Sequence, residues 1–329
     1  MSKKRKREVN EVDVELVNIY DELADDQEDR RLAAAHSLLS KIFKPGVAID
    51  DDQIKATLTR LFRGLCSSRK SARLGFSVAL TELLSHLPVA RPGAAQDGRI
   101  LDILESQTVP EGHTSGQDER DHYFGRLFGA EAIVKSRLLF QARDLVQWKR
   151  LLDIICGIAL KKPWLRQECG WVLYTCVVSS STDLLFEDFA IDMVEKLASH
   201  QLIRTPEGVA IWLATTKAFP HAKLPKHIWK HGDPLAKKDV GTLADILKDA
   251  RAQPKQAQDG FGAQGSAMWF ASLHFSWDVV LAELYMDGGK SGDGRAGADG
   301  KAASKRLSFE VFWNVVVDGK IDHDMGTPC

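Results

Sequence analysis

The chain lacks the cysteine patterns that mark disulfide-stabilised and zinc-stabilised folds. Its 329 residues include five cysteines, and no two of them form a CxxC pair. Isolated cysteines behave as small buried hydrophobes, so neither a zinc site nor a disulfide framework is expected. We interpret all five as reduced thiols of the core: Cys66, Cys156, Cys169, Cys176 and Cys329.

Long apolar runs and an excess of charge are also missing. The longest apolar run, WVLYTCVV at 171–178, is far shorter than the roughly 20 residues that cross a bilayer, so no membrane partner is expected. The formal net charge is −1. A charge near zero gives no general attraction to nucleic acid, so such binding would require a local basic patch or a part of the protein outside this chain.

Patterns typical of nucleotide-transfer enzymes are absent as well. Such chemistry needs two or three carboxylates held around divalent ions, usually on a sheet. Strand-like alternation is confined to brief runs such as WNVVVD at 313–318. Asp50, Asp51 and Asp52 directly precede an apolar helical pattern, where a helix cap belongs. We therefore predict that the chain is not an enzyme and has no catalytic residue, no metal site, no cofactor and no small-molecule substrate.

Two weaker patterns are interpreted in the same way. His227 and His231 have the i, i+4 spacing of a helical metal site, but Gly232, Asp233 and Pro234 follow directly, which favours a loop or a helix end. The glycine-rich segment 287–305 lacks the GxxxxGK[ST] spacing of a phosphate-binding loop. It is predicted to be a flexible, disordered loop.

The strongest positive pattern is the segment 60–87, RLFRGLCSSRKSARLGFSVALTELLSHL, which predicts two helices meeting at a tight corner. Apolar residues of the second helix recur at helical spacing and form one stripe. This stripe consists of Ala72, Phe76, Ala79, Leu80, Leu83, Leu84 and Leu87. Leu74 and Val78 lie on the opposite side, which predicts a helix that is buried on two sides.

Arg69 and Arg73 project from the edge of that stripe. An arginine in this position normally pairs with a carboxylate or binds helix-end carbonyls. Contact with a phosphate or a partner protein is the alternative.

The rest of the chain continues with helical patterns joined by short connectors. One stripe consists of Leu32, Ala35, Leu38, Leu39, Ile42 and Phe43, and Asp118 to Leu139 predicts a long helix. Helix pairs recur on the order of every 40 residues, a spacing typical of HEAT and armadillo arrays. We predict an all-α, HEAT/armadillo-like α-solenoid of stacked helix pairs, although no residue-by-residue repeat is visible.

The predicted organisation has five parts. These are a basic flexible tail at 1–11, the α-solenoid at 12–286, the disordered loop at 287–305, a last helical block at 306–318 and an unstructured end at 319–329.

Two groups of basic residues are candidates for binding. The amino-terminal cluster consists of Lys3, Lys4, Arg5, Lys6 and Arg7. It is interpreted as a nuclear localisation signal read by an import receptor, with a solvated tail or an rRNA or DNA contact as alternatives. The candidates for nucleic-acid or partner binding are Arg60, Arg63, Arg69, Lys70, Arg73, Lys226 and Lys230. No aromatic-interleaved stripe accompanies them.

Five segments resemble successive blocks of the DNA polymerase V family, also called the DNA polymerase phi family, which includes the Myb-binding protein 1A group. They are the segment 60–84, HYFGRLFGAEAIVKSRLL at 122–139, KKPWLRQECGWVL at 161–173, LHFSWDVVL at 273–281 and SFEVFWNVVVD at 308–318. The resemblance implies a nuclear, mainly nucleolar protein of ribosomal-RNA gene transcription and ribosome production, despite the polymerase name. Members of the family continue well beyond the last block, so this chain is expected to be an amino-terminal portion or a truncated product.

Three functional hypotheses follow. The first is a non-enzymatic interaction protein that binds nucleolar proteins of the rRNA transcription or pre-ribosome machinery and, directly or through them, rDNA or pre-rRNA. The second is a nuclear transport or assembly adaptor of the same architecture. The third, least favoured by the residues, is a DNA-directed DNA polymerase.

Overall fold

The computed structural model describes residues 13–44, 46, 50–90, 99–110, 112, 116–179, 185–225, 227–251, 274–289 and 306–321. Within these residues the fold is all-α, as predicted, and the only extended pairing is an isolated antiparallel bridge between Ala236 and Arg306. The chain divides into two units, Met1–Asp144 and Leu145–Cys329.

The described residues of the first unit form seven helices. They are α1 (Val14–Glu22), α2 (Glu28–Ile42), α3 (Asp51–Gly64), α4 (Lys70–Ala90), α5 (Arg99–Gln107), α6 (Gly116–Ser136) and α7 (Leu138–Ala142). The predicted corner between two helices in the segment 60–87 is the junction of α3 and α4.

The second unit contains α8 (Leu145–Lys161), α9 (Arg166–Val178), α10 (Glu187–Ser199), α11 (Pro206–Ala218), α12 (Val240–Arg251), α13 (Phe275–Gly289) and α14 (Phe309–Phe312). A π-helical stretch, Trp313–Ile321, continues α14. The helical block predicted at 306–318 therefore extends to Ile321, and residues 290–305 and 322–329 lie outside the described residues.

Local sequence signals fix several helix starts. The Asp50 side chain accepts a hydrogen bond from the Asp52 N–H at 3.0 Å, which confirms its predicted role as the cap of α3. Thr205 caps α11 in the same way through the Gly208 N–H, with Pro206 in the first turn. Each cap satisfies a backbone donor that has no partner inside its helix.

In the first unit, α4 packs against α2, α3 and α6, and α3 also packs against α5. The predicted stripe of α4 supplies the core at this junction, since every member from Ala72 to Leu87 is buried. In the second unit, α8 packs against α10, and α11 packs against α9 and α13. Residues 206–215 of α11 are all buried.

One prediction about α4 is wrong. Leu74 and Val78 are 40% and 38% exposed, so this helix is not buried on the side opposite its stripe. The reason is that its neighbours α2, α3 and α6 occupy the other sides and leave this side facing solvent. Leu32 of the α2 stripe is likewise 47% exposed, whereas Ala35, Leu38 and Ile42 are buried.

A second difference concerns the long helix predicted from Asp118 to Leu139. It ends at Ser136 because Arg137 adopts a left-handed conformation with φ 59°, which a regular helix does not accommodate. The Ser136 hydroxyl accepts a hydrogen bond from the Leu138 N–H at 3.4 Å, and α7 begins there.

The carboxyl-terminal block is attached to the loop that precedes α12. The Leu307 N–H donates to the Leu235 carbonyl at 2.8 Å. The Arg306 side chain pairs with Asp233 at 2.6 Å, and the rings of Phe312 and Trp277 meet edge to face at 6.3 Å. Backbone, charge and aromatic contacts therefore hold this block against the second unit.

A glycine permits the closest approach in the first unit. A Cβ added to Gly75 of α4 would overlap the Leu23 carbonyl group, at the turn between α1 and α2. Only glycine lets the two backbones come this close without displacement. The position of α4 against the start of α2 therefore depends on the missing side chain.

Replacement of Gly75 by alanine is expected to lower the free energy of unfolding by about 2 kcal/mol, because the added methyl overfills a packed junction. The matched control is Gly157→Ala in α8, where an added Cβ meets nothing within 4 Å. The better helix propensity of alanine should raise stability there by up to ~1 kcal/mol. Urea unfolding followed by circular dichroism measures both, and effects of the same sign would contradict the close approach.

Candidate interaction surface

The predicted binding residues fall into separate regions. Five of them lie at the α3–α4 corner: Arg60 and Arg63 on the last turns of α3, Arg69 directly before α4, and Lys70 and Arg73 on the first turn of α4. Lys230 is exposed in the loop before α12 of the second unit. Lys226 and the cluster Lys3, Lys4, Arg5, Lys6 and Arg7 lie outside the described residues.

Three of the residues at the α3–α4 corner present charge on an exposed surface. Arg60, Arg63 and Lys70 are all exposed. The Arg60 guanidinium lies 5.5 Å from the centre of the Tyr20 ring, which is a cation–π contact. We refer to Arg60, Arg63 and Lys70 as the corner cations.

Arg69 and Arg73 make the contacts expected of structural arginines, which pair with a carboxylate or bind backbone carbonyls. Arg69 pairs with Asp26 at 3.2 Å, but both side chains are more than half exposed, so the pair contributes little to stability. Arg73 is only 12% exposed and pairs with the buried Asp121 at 3.4 Å. Its guanidinium also donates to the Ser67 carbonyl at 2.7 Å and lies over the Phe124 ring. Arg73 therefore joins α4 to α6 and to the corner.

His227 and His231 of the second unit are not on a helix, in agreement with the predicted loop. His227 and His231 lie in turns, and His231 Nδ1 is 2.9 Å from the Asp239 carboxylate. Across the described residues, no group of three or more His, Cys, Asp or Glu side chains is arranged to hold a metal ion.

The thiols of the described residues are unreactive. Cys156, Cys169 and Cys176 are buried, Cys66 is half-buried, and none of these four described cysteines forms a disulfide. Burial raises the pKa of Cys66 and of Cys156 to about 12 and raises that of Cys169 well above its ordinary value. Because the thiolate is the nucleophile and the metal ligand, these groups are core residues at neutral pH.

A buried polar cluster joins three helices of the second unit. The Ser276 N–H donates to His274 Nδ1 at 3.2 Å, which places the ring proton on Nε2. Nε2 lies 3.1 Å from Glu207 Oε1, and Arg166 Nε donates to the same oxygen at 3.3 Å. The cluster links the start of α9, the first turn of α11 and the start of α13.

This arrangement resembles a serine, histidine and carboxylate triad, since the Ser276 hydroxyl lies 2.8 Å from His274 Nδ1. A nucleophile must reach its substrate, however, and Ser276 has no exposed surface. The His274 and Glu207 side chains are 2% and 4% exposed. The cluster therefore serves packing. Neither residue pattern nor spacing indicated it, because Glu207 and His274 are 67 residues apart.

Glu207 is ionised over the whole neutral range. Burial raises the pKa of its carboxyl group, but the hydrogen bond from His274 and the charge of Arg166 outweigh that effect and lower the pKa to about 2. The adjoining cavity, lined in part by Cys156, Cys169 and Glu207, has a volume of about 20 Å³, which is room for one water molecule and not for a substrate.

The fold and these contacts define an all-α protein whose buried charges join helices. Among its described helices, none combines the length and the apolar content that a bilayer crossing requires. The family model described as DNA polymerase phi matches residues 56–324. The chain therefore belongs to the DNA polymerase phi family.

Three relatives accompany this match. The rDNA transcriptional regulator pol5 of Schizosaccharomyces pombe is 30% identical over 307 residues, which are 92% of this chain and 29% of that protein. The rDNA transcriptional regulator POL5 of Saccharomyces cerevisiae is 27% identical over 333 residues, 92% of this chain and 32% of that protein. A Myb-binding protein 1A-like protein of Danio rerio is 27% identical over 213 residues, 62% of this chain and 16% of that protein. No solved structure matches significantly.

Replacement of Arg73 should lower stability more than replacement of Arg69. Arg73→Met leaves the Asp121 carboxylate buried without its cation and should lower the free energy of unfolding by about 2–4 kcal/mol. Arg69→Met removes an exposed pair and should change it by less than about 0.5 kcal/mol. Urea unfolding of both variants measures this, and equal losses would show that Arg73 has no special packing role.

Stability should also depend on pH through Glu207. Its pKa of about 2 in the folded chain lies below its ordinary value of 4.5, so its contribution is complete above pH 4.5 and is lost as the pH falls toward 2. The contribution is about 2–3 kcal/mol. The difference in unfolding free energy between the wild type and Glu207→Gln should therefore shrink over this range. The exposed control Glu195→Gln should show no such change, and a constant Glu207→Gln difference would refute the assignment.

Proposed function

We propose that this chain acts in the nucleus as a non-enzymatic interaction protein in the regulation of rDNA transcription. The observation that carries the proposal is membership of the DNA polymerase phi family together with two relatives named rDNA transcriptional regulators. The chain spans about a third or less of the length of its three relatives, so the proposal concerns the part of the function that this segment performs.

The proposed architecture is a HEAT/armadillo-like α-solenoid. In the first unit α2, α4 and α6 pack side by side, as do α3 and α5. In the second unit the same relation joins α8 to α10, α9 to α11, and α11 to α13. In a stack of helix pairs, each helix packs against the helix two places further along the chain. Such stacks present long surfaces to partners. The packing within each unit therefore supports the proposal.

The proposed nucleic-acid contact is the surface of the corner cations. The whole chain has a charge of −1, so attraction to rDNA or pre-rRNA must come from a local group of cations. Arg60, Arg63 and Lys70 are exposed on neighbouring helix ends and fit contact with backbone phosphates, which carries no sequence preference of its own.

Localisation to the nucleolus and a role in ribosome biogenesis are part of the proposal. Lys3 to Arg7 are proposed to be the signal that an import receptor reads. The alternative is a nuclear transport or assembly adaptor, which the same helix packing would also suit. Immunoprecipitation of the tagged chain with rRNA-gene chromatin supports rDNA regulation, whereas shuttling through the cytoplasm without rRNA-gene signal supports the adaptor. Magnesium-dependent primer extension by the purified chain would overturn the non-enzymatic assignment.

The corner cations should account for binding to an rDNA fragment. Arg60→Ala, Arg63→Ala and Lys70→Ala together should weaken binding by on the order of tenfold or more and reduce the slope of log affinity against log salt by about 2–3. Fluorescence anisotropy with a labelled fragment measures both quantities.

The matched control removes three exposed lysines of the second unit, Lys223→Ala, Lys237→Ala and Lys238→Ala. It should leave both quantities nearly unchanged. Equal weakening by the two triple variants would assign binding to charge in general, and affinity that does not depend on salt would point to protein partners.

A further inference from the structure

An aromatic surface in the second unit is not accounted for by the contacts described so far. Trp171 and Tyr174 lie one turn apart on α9, and Phe275 begins α13. The Trp171 ring meets Phe275 edge to face at 5.3 Å, and Tyr174 lies 5.2 Å from Phe275 and 5.7 Å from Trp171. We refer to Trp171, Tyr174 and Phe275 as the aromatic surface.

Two rings of the aromatic surface are partly exposed and are held in place by the buried third ring. Phe275 is buried, whereas Trp171 is 46% exposed and Tyr174 is half-buried. Val178, one turn beyond Tyr174, extends the apolar face and is 57% exposed. An indole that packs on a buried ring loses little further freedom when a partner covers its free side. Such large, rigid and partly exposed side chains are the residues that dominate protein interfaces.

Carboxylates border these rings. Asp278 lies one turn after Phe275 on α13, Glu168 lies one turn before Trp171 on α9, and both are exposed. Lys217 of α11 is a nearby cation, and it pairs with Glu283 of α13 at 2.6 Å. Three charges act on the Tyr174 hydroxyl: partial burial raises its pKa, Lys217 lowers it, and Glu283 and Asp278 raise it. The sum of these charges is negative.

We propose that the aromatic surface binds a lysine- or arginine-rich segment of a partner protein. Cations bind over the faces of tryptophan and tyrosine rings, and Asp278 and Glu168 supply the complementary charge. The aliphatic parts of lysine and arginine side chains would cover Trp171 and Val178. This inference deepens the proposed function, on which it rests, by naming the chemical class of one partner.

The charge around the aromatic surface favours a basic protein segment over other ligands. Nucleic acid would bring phosphates toward Asp278 and Glu168, which repel them. A second copy of the chain, using the same face, would bring the carboxylates of the two surfaces together. A purely apolar helix would leave those carboxylates without a complementary charge. A basic segment satisfies the rings and the carboxylates together.

Binding of a fluorescein-labelled peptide of arginine and alanine to the full chain tests the proposal. Anisotropy titration should show affinity that falls as salt is added, because charge is part of the contact. A peptide with glutamate in place of arginine should not bind. Trp171→Ala should weaken binding by on the order of tenfold, and Asp278→Asn by up to about fivefold.

Matched controls use exposed residues elsewhere in the second unit. Val146→Ala on α8, at a residue 74% exposed, and Glu195→Gln on α10 should keep the affinity within about twofold of wild type. Trp171→Phe keeps an aromatic ring and should retain most of the binding. This variant distinguishes the loss of a ring contact from the loss of the folded state. Thermal unfolding by circular dichroism checks that each variant is folded.

The outcomes are distinct. Wild-type affinity in both Trp171→Ala and Asp278→Asn would overturn the proposal. If alanine at Lys3 to Arg7 strengthens peptide binding several-fold, the chain's own basic cluster occupies the surface and the assignment to a separate partner is overturned. Failure here would leave the rDNA test intact, because that test depends on Arg60, Arg63 and Lys70 and not on the aromatic surface.

Discussion

The structure depends on the close approach of neighbouring elements, which glycines such as Gly75 and Gly170 permit. Gly75 brings α4 against the Leu23 carbonyl in the first unit, and a Cβ on Gly170 of α9 would overlap the Glu207 side chain in the second. At each place a methyl group would not fit between the two elements, so their packing allows little adjustment. The cluster of Glu207, His274 and Arg166 can form because Gly170 leaves room for the Glu207 side chain.

Buried charge appears in both units at junctions between helices. Arg73 and Asp121 join α4 to α6, and Arg166 with Glu207 joins α9 to α11. Ion pairs of this kind add little net stability over apolar side chains, but a shift of one helix along the other would leave a charge without its partner. We interpret them as constraints on how the helices align. Arg73 also donates to the Ser67 carbonyl and lies over the Phe124 ring, so it does not belong with the exposed corner cations.

Helical periodicity predicted much of the fold and less of the surface. The stripe from Ala72 to Leu87 and the cap at Asp50 followed from local patterns, because spacing and capping chemistry act within a few residues. Leu74 and Val78 were misjudged since periodicity gives the apolar faces of a helix and not the neighbours that cover them. The break at Arg137 depends on a backbone conformation that no composition signal marks. Glu207 with His274, and Trp171 with Phe275, meet only through the fold, so sequence spacing could not pair them.

The distribution of the four described thiols has a practical consequence. Cys66 lies in the first unit, while Cys156, Cys169 and Cys176 lie in the second. Burial raises the pKa of Cys66, Cys156 and Cys169 and keeps these thiols protonated at neutral pH. An alkylating reagent can modify such a group only when the surrounding helices transiently separate. Modification rates, resolved by peptide mapping, would thus report the local opening of each half of the molecule without any engineered label. The native cysteines can therefore serve as probes of local unfolding.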